Sequence, residues 1–181
     1  MERKRALELI SQRVKNKNLV KHMLAVEALM KVLARRFKED EEFWGLAGLI
    51  HDLDVEETSE NPQKHGLLTQ EVLKAENCQE DLIYAVLAHC RRVECRSRLD
   101  QALYAADPLT GIIVACALVA KDRKLANVDV EFVVRRMKEK RFAMGVNREQ
   151  IQACEKLNIP LEEFIGLGLE AMQGISGELG L

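Results

Sequence analysis

Apolar residues recur at three- and four-residue intervals through almost the whole chain. No stretch shows the sustained two-residue alternation, bounded by hairpin turns, that marks a strand. Only 3 prolines and 10 glycines interrupt the 181 residues. Leu, Ala, Glu and Lys are abundant, and these lose little on entering a helix. The spacing predicts an all-α chain with helices over about 2–15, 18–38, 41–52, 62–75, 79–91, 97–120, 129–139, 147–157 and 160–178. Asn61-Pro62 reads as an N-cap followed by proline at the first helical position. Gly174, Gly177 and Gly180 suggest a fraying end. The length fits one domain spanning 1–181, with a core over about 18–120 and a helical extension over about 121–181.

The formal net charge of −2 gives no electrostatic case for nucleic acid or an anionic membrane. Aromatics at 4% do not furnish a base-stacking platform. The longest apolar run, Gly111 to Ala120, falls short of the ~20 residues of a membrane span. The charged opening Met1-Glu2-Arg3-Lys4-Arg5 has no apolar stretch behind it, so no signal peptide is expected. Five cysteines (78, 90, 95, 116 and 154) contain no C-x-x-C pair. A reduced, cytoplasmic setting with ordinary thiols is therefore expected. The basic group Arg135, Arg136, Lys138, Lys140 and Arg141 is interleaved with Glu131 and Glu139, as in a solvated face.

The four histidines carry the chemical signal. His22 shares a helical face with Leu19, Val26 and Leu29, and His51 follows Ala47 by four residues. His65 aligns with Leu68 and Val72, and His89 with Leu82, Ala85 and Val86. Asp52 adjoins His51, and Asp107 lies on the stripe of Leu99 and Leu103. Each polar group therefore faces inward. A single histidine on an apolar face is ordinarily a hydrogen-bonded core residue. Burying four imidazoles and two carboxylates would then demand a separate partner for each. A shared divalent cation satisfies them together, and His and Asp are suitable ligands for one.

His22, then His51-Asp52, then Asp107 resembles the signature of the HD-domain superfamily of metal-dependent phosphohydrolases. Ala47-Gly48-Leu49-Ile50-His51-Asp52-Leu53-Asp54 is similar to its HDIG-type motif, with Leu-Asp in place of Ile-Gly. His65 and His89 resemble two further histidines of HDIG-type members, and the resemblance covers about 18–120. The stretch Phe142 to Glu149 resembles the C-terminal part of small single-domain bacterial members. Val55 or Asp54 stands where a lysine often follows the motif, which removes a phosphate or acid-base candidate. Cys90 stands where a second histidine is common, which removes one hydrogen-bond partner.

The resemblance implies an HD-domain helical bundle with a C-terminal helical extension. It also implies one or two divalent metal ions (Mn, Fe, Co, Ni or Zn). Carried over, His22, His51 and Asp107 hold one metal, His65 and His89 a second, and Asp52 bridges them. The implied activity is hydrolysis of a phosphate ester by metal-activated water, with Asp52 and His51 as catalytic groups. The expected substrate is a nucleotide or another small phosphorylated molecule. Lys64 and Arg91 are the expected phosphate contacts, and Asp54 is placed to orient a ligand or accept a proton. Proline at 108 predicts a kink that aims Asp107. Two alternatives stand beside this reading: a regulatory module that binds metal or nucleotide without turnover, and a di-iron oxygenase-like member.

Overall fold

The computed structural model describes residues 1–181, and every regular element is helical. The α-helices are α1 (Arg3–Arg13), α2 (Lys17–Phe37), α3 (Glu41–Ile50), α4 (Leu67–Ala75) and α5 (Glu80–His89). Then come α6 (Arg98–Val119), α7 (Val130–Met137), α8 (Arg148–Gln152), α9 (Leu161–Gly174) and α10 (Ser176–Leu179). Their starts are written into the sequence. Asn16, Asp40, Asp129 and Asn147 each accept a hydrogen bond from a first-turn amide, and Ser97 with Asp100 forms a capping box.

The long helix α6 is the axis of the bundle, packed by α2, α3, α5, α7, α8 and α9. It is the one helix apolar and long enough to cross a membrane, but Leu103, Ala106, Leu109 and Ile113 are fully buried within the bundle. One continuous apolar core runs from Ala6 to Leu179, so the C-terminal helices share the core of the N-terminal ones. At Gly48 a Cβ would meet the α2 backbone at Val26 and Glu27, 2.8 Å away. Glycine thus lets α3 press onto α2, and this close approach brings His22 and His51 together.

Three expectations require correction. The helix expected over 41–52 ends at Ile50, and His51 to Glu60 form successive turns. The helix expected over 62–75 is broken into a short 3-10 turn, Pro62–Lys64, and α4. Between them His65 is extended and Gly66 adopts φ +84°, and a Cβ on Gly66 would lie 2.5 Å from Cys90 Sγ. Asn61 makes no capping hydrogen bond, because its φ/ψ of −137°/73° turn it away from cap geometry. The helix expected over 97–120 is present, and α6 runs through proline at 108. The basic segment behaves as expected, with Arg136 paired to Glu139 at 2.9 Å.

Candidate metal centre

The structure gathers all four histidines, Asp52 and Asp107 into one cluster. His22 comes from α2, His51 and Asp52 from the end of α3, and His65 from the break before α4. His89 closes α5, and Asp107 projects from the middle of α6. The rings of His22 and His51, His51 and His89, and His65 and His89 stand edge to face at 5.2, 5.0 and 5.2 Å. His51 and His89 are buried, and His22, His65 and Asp107 are half-buried.

Each imidazole has its Nδ1 committed to a neighbour. His51 Nδ1–H donates to the Gly48 carbonyl at 2.8 Å, and His89 Nδ1–H donates to the Val86 carbonyl. His65 Nδ1–H donates to Asp54 Oδ1 at 2.8 Å, and Asp54 Oδ2 accepts the Thr69 amide at 3.1 Å. The Thr110 hydroxyl donates to the Asp107 carbonyl at 2.9 Å, so its oxygen accepts His22 Nδ1–H at 3.1 Å. Such partners fix the tautomer and leave Nε2 as the lone pair, the arrangement of metal-ligating histidines.

The four Nε2 atoms converge on two carboxylates. His22 Nε2 lies 3.1 Å from Asp107 Oδ1 and 3.6 Å from Asp52 Oδ2. His51 Nε2 lies 3.5 Å from Asp52 Oδ2 and 3.8 Å from Asp107 Oδ1. His65 and His89 instead face the other oxygen, Asp52 Oδ1, each at 3.4 Å. Asp52 thus presents one oxygen to each half of the cluster. The ligand atoms of His22, His51 and Asp107, and those of His51, Asp52 and His89, each fall within 4.8 Å of one another.

A cation fits this donor set. The Nε2 atoms of His51 and His89 are fully buried and have no hydrogen-bond partner in the protein. A buried acceptor without a partner is costly, and a metal shared with the carboxylates removes that cost. In the metal-free protein the same groups bias one another. Burial works to lower the His51 pKa, but Asp52 and then Asp107 outweigh it and hold the imidazole up at about 9. Burial works to raise Asp52 and Asp107, but the facing histidines outweigh it and keep both carboxyls well below the usual range. For His65, burial is outweighed by the Asp54 hydrogen bond, which raises its pKa.

A cavity of about 400 Å³ opens over the cluster, with Ser59, His65, His89, Arg91, Asp107 and Gln150 in its wall. Arg91 adopts a left-handed φ of 63°, and its exposed guanidinium has no protein partner. Lys64 is exposed on the 3-10 turn and is not part of this wall. Arg92 is structural: its Nε and one terminal nitrogen donate to the His65 and Pro62 carbonyls at 3.1 and 2.8 Å. That clamp ties the His65 segment to the end of α5. Thr110, Arg92 and Gln150 were not legible as site residues, because each acts through a contact between distant segments.

An HD-domain family model matches residues 19–112. The chain belongs to the HD-domain family. Members of this family are typically metal-dependent phosphohydrolases. Ribonuclease Y of Oleidesulfovibrio alaskensis is 31% identical over 98 residues, covering 53% of this chain and 18% of that protein. Ribonuclease Y of Desulfotalea psychrophila is 29% identical over 94 residues, covering 52% and 18%. The likeness therefore spans less than a fifth of these relatives. No solved structure matches the chain.

The hydrogen bond from His65 to Asp54 has a direct consequence. Asp54→Asn keeps the shape but removes the charge that orients His65. It is expected to weaken metal binding at the His65 and His89 half by about 10- to 100-fold. The His22, His51 and Asp107 half should keep its affinity, and a two-site metal titration reads the two halves separately.

Proposed function

We propose that this protein is a metal-dependent phosphohydrolase acting on a phosphate ester of a nucleotide or another small phosphorylated molecule. The observation that carries this reading is the geometry of Asp52, whose two oxygens face two separate sets of Nε2 lone pairs. In the proposal His22, His51 and Asp107 would hold one metal and His65 and His89 a second, with Asp52 available to both. Bound there, a divalent metal lowers the pKa of a coordinated water and neutralises charge on phosphoryl oxygens. His51, with Nδ1 held by the Gly48 carbonyl, presents Nε2 in a fixed direction; with Asp52 it forms the catalytic pair. Arg91, free of protein partners at the rim, contacts the phosphate. Lys64 has no such position. The partial likeness to two proteins named ribonuclease Y supports testing phosphodiesters beside monoesters.

The test is elemental analysis of protein purified without chelators or a histidine tag, followed by a panel of phosphate mono- and diesters. The expected result is about two metals per chain with metal-dependent hydrolysis. About one metal would restrict the centre to His22, His51, Asp52 and Asp107. No metal after reconstitution with Mn, Fe, Co, Ni or Zn would overturn the reading.

A further inference from the structure

Residues 113–181 lie beyond the family match, yet one of them reaches the metal centre. Gln150, on α8, is 8% exposed and lines the cavity over the cluster. Its Nε2 donates to the His89 backbone carbonyl at 3.3 Å. A carbonyl only accepts, so this bond fixes which end of the amide is nitrogen. Oε1 is then the acceptor, and no protein group donates to it. The Gln150 amide oxygen opens onto the cavity with no donor from the protein, so a ligand seated there can offer one.

The placement of α8 is secured. The Asn147 side chain caps it by accepting the Gln150 amide at 3.1 Å. The Arg148 guanidinium donates to the carbonyls of Met137, Glu139, Phe142, Ala143 and Val146, which fixes the preceding loop. Five bonds from one side chain hold the segment that delivers Gln150.

We infer that Gln150 is a specificity-determining residue whose Oε1 accepts a hydrogen bond from a sugar hydroxyl of the substrate's leaving group. This rests on the phosphohydrolase reading. The fully ionised phosphoryl group of an ester offers no proton to an acceptor, so the Gln150 oxygen is suited to a hydroxyl elsewhere on the substrate. Gln150 bonds to the residue that also supplies the His89 ring to the cluster. A group held so near the reacting phosphorus belongs to the alcohol directly esterified to it. A polyhydroxylated alcohol such as ribose meets that requirement.

The experiment is calorimetric titration of the manganese-loaded protein with ribonucleoside 5′-monophosphates, their 2′,3′-dideoxy counterparts and inorganic phosphate. The wild-type protein is expected to prefer the ribonucleotides by about tenfold, the worth of one well-made hydrogen bond. Gln150→Met, with unchanged manganese content, is expected to erase the preference while binding inorganic phosphate as the wild type does. Equal affinity of the wild type for both nucleotide sets overturns the inference and needs no variant to fold. A preference that survives in Gln150→Met overturns it as well. If neither nucleotide nor inorganic phosphate binds, the phosphohydrolase reading fails first, and the inference falls with it.

Discussion

Asp52→Ala is expected to lower metal-dependent hydrolysis by at least about a thousandfold and to reduce bound metal below one equivalent. Asp52 is the carboxylate that faces both halves of the cluster. Its Oδ2 lies 3.5–3.6 Å from the His51 and His22 nitrogens, and its Oδ1 lies 3.4 Å from those of His65 and His89. Truncation leaves the second half with two imidazoles and no carboxylate, so the histidines alone must carry the cation's charge. The first half keeps Asp107 and loses its other anionic ligand. Asp52→Asn is the companion variant, because it preserves volume and removes the charge. Both variants should fold, since the apolar core is built from other side chains. Metal analysis, hydrolysis of the best panel substrate and a thermal melt distinguish a lost site from a lost fold. Retention of two metals and near-wild-type turnover in Asp52→Ala would refute the bridging role.

The helical class and the cluster were legible for one physical reason. Helical periodicity places a residue on a face, and six chemically kindred residues on inward faces must meet if the helices pack. The sequence motif around His51-Asp52 and the spacing to Asp107 then ordered them. The break at His65-Gly66 was not legible, because it depends on Cys90, a residue far along the chain that fills the space where a Cβ on Gly66 would stand. The Nδ1 partners divide the same way. Gly48 and Val86 lie three residues before the histidines they hold and follow from helix geometry. Thr110 lies 88 residues from His22, and no local pattern announces it. Gln150 is the extreme case: a helix over about 147–157 was expected, but nothing in the sequence placed this side chain against His89, 61 residues away.

Metal affinity is expected to rise about a hundredfold from about pH 6.5 to about pH 8.5, without levelling near the ordinary pKa of histidine. The sign follows from the metal-free cluster. Burial opposes a charge on His51, yet Asp52 and Asp107 hold its pKa up at about 9. Throughout that pH range the apo protein therefore keeps a proton on His51. A ligating imidazole must be neutral, so the metal that enters the His51 half displaces this proton, and its apparent affinity climbs about tenfold per pH unit until the proton is lost unaided. Asp52 and Asp107 add no proton to the count, because both stay ionised well below this range. The raised pKa of His65 steepens the acidic end of the curve. Calorimetry in Hepes and in Tris at one pH should differ by the buffers' ionisation enthalpies times about one proton per first metal bound. A curve that flattens near pH 6.5 would show that His51 is already neutral in the apo protein. In that case the two carboxylates would not be holding its proton, and binding would displace water alone.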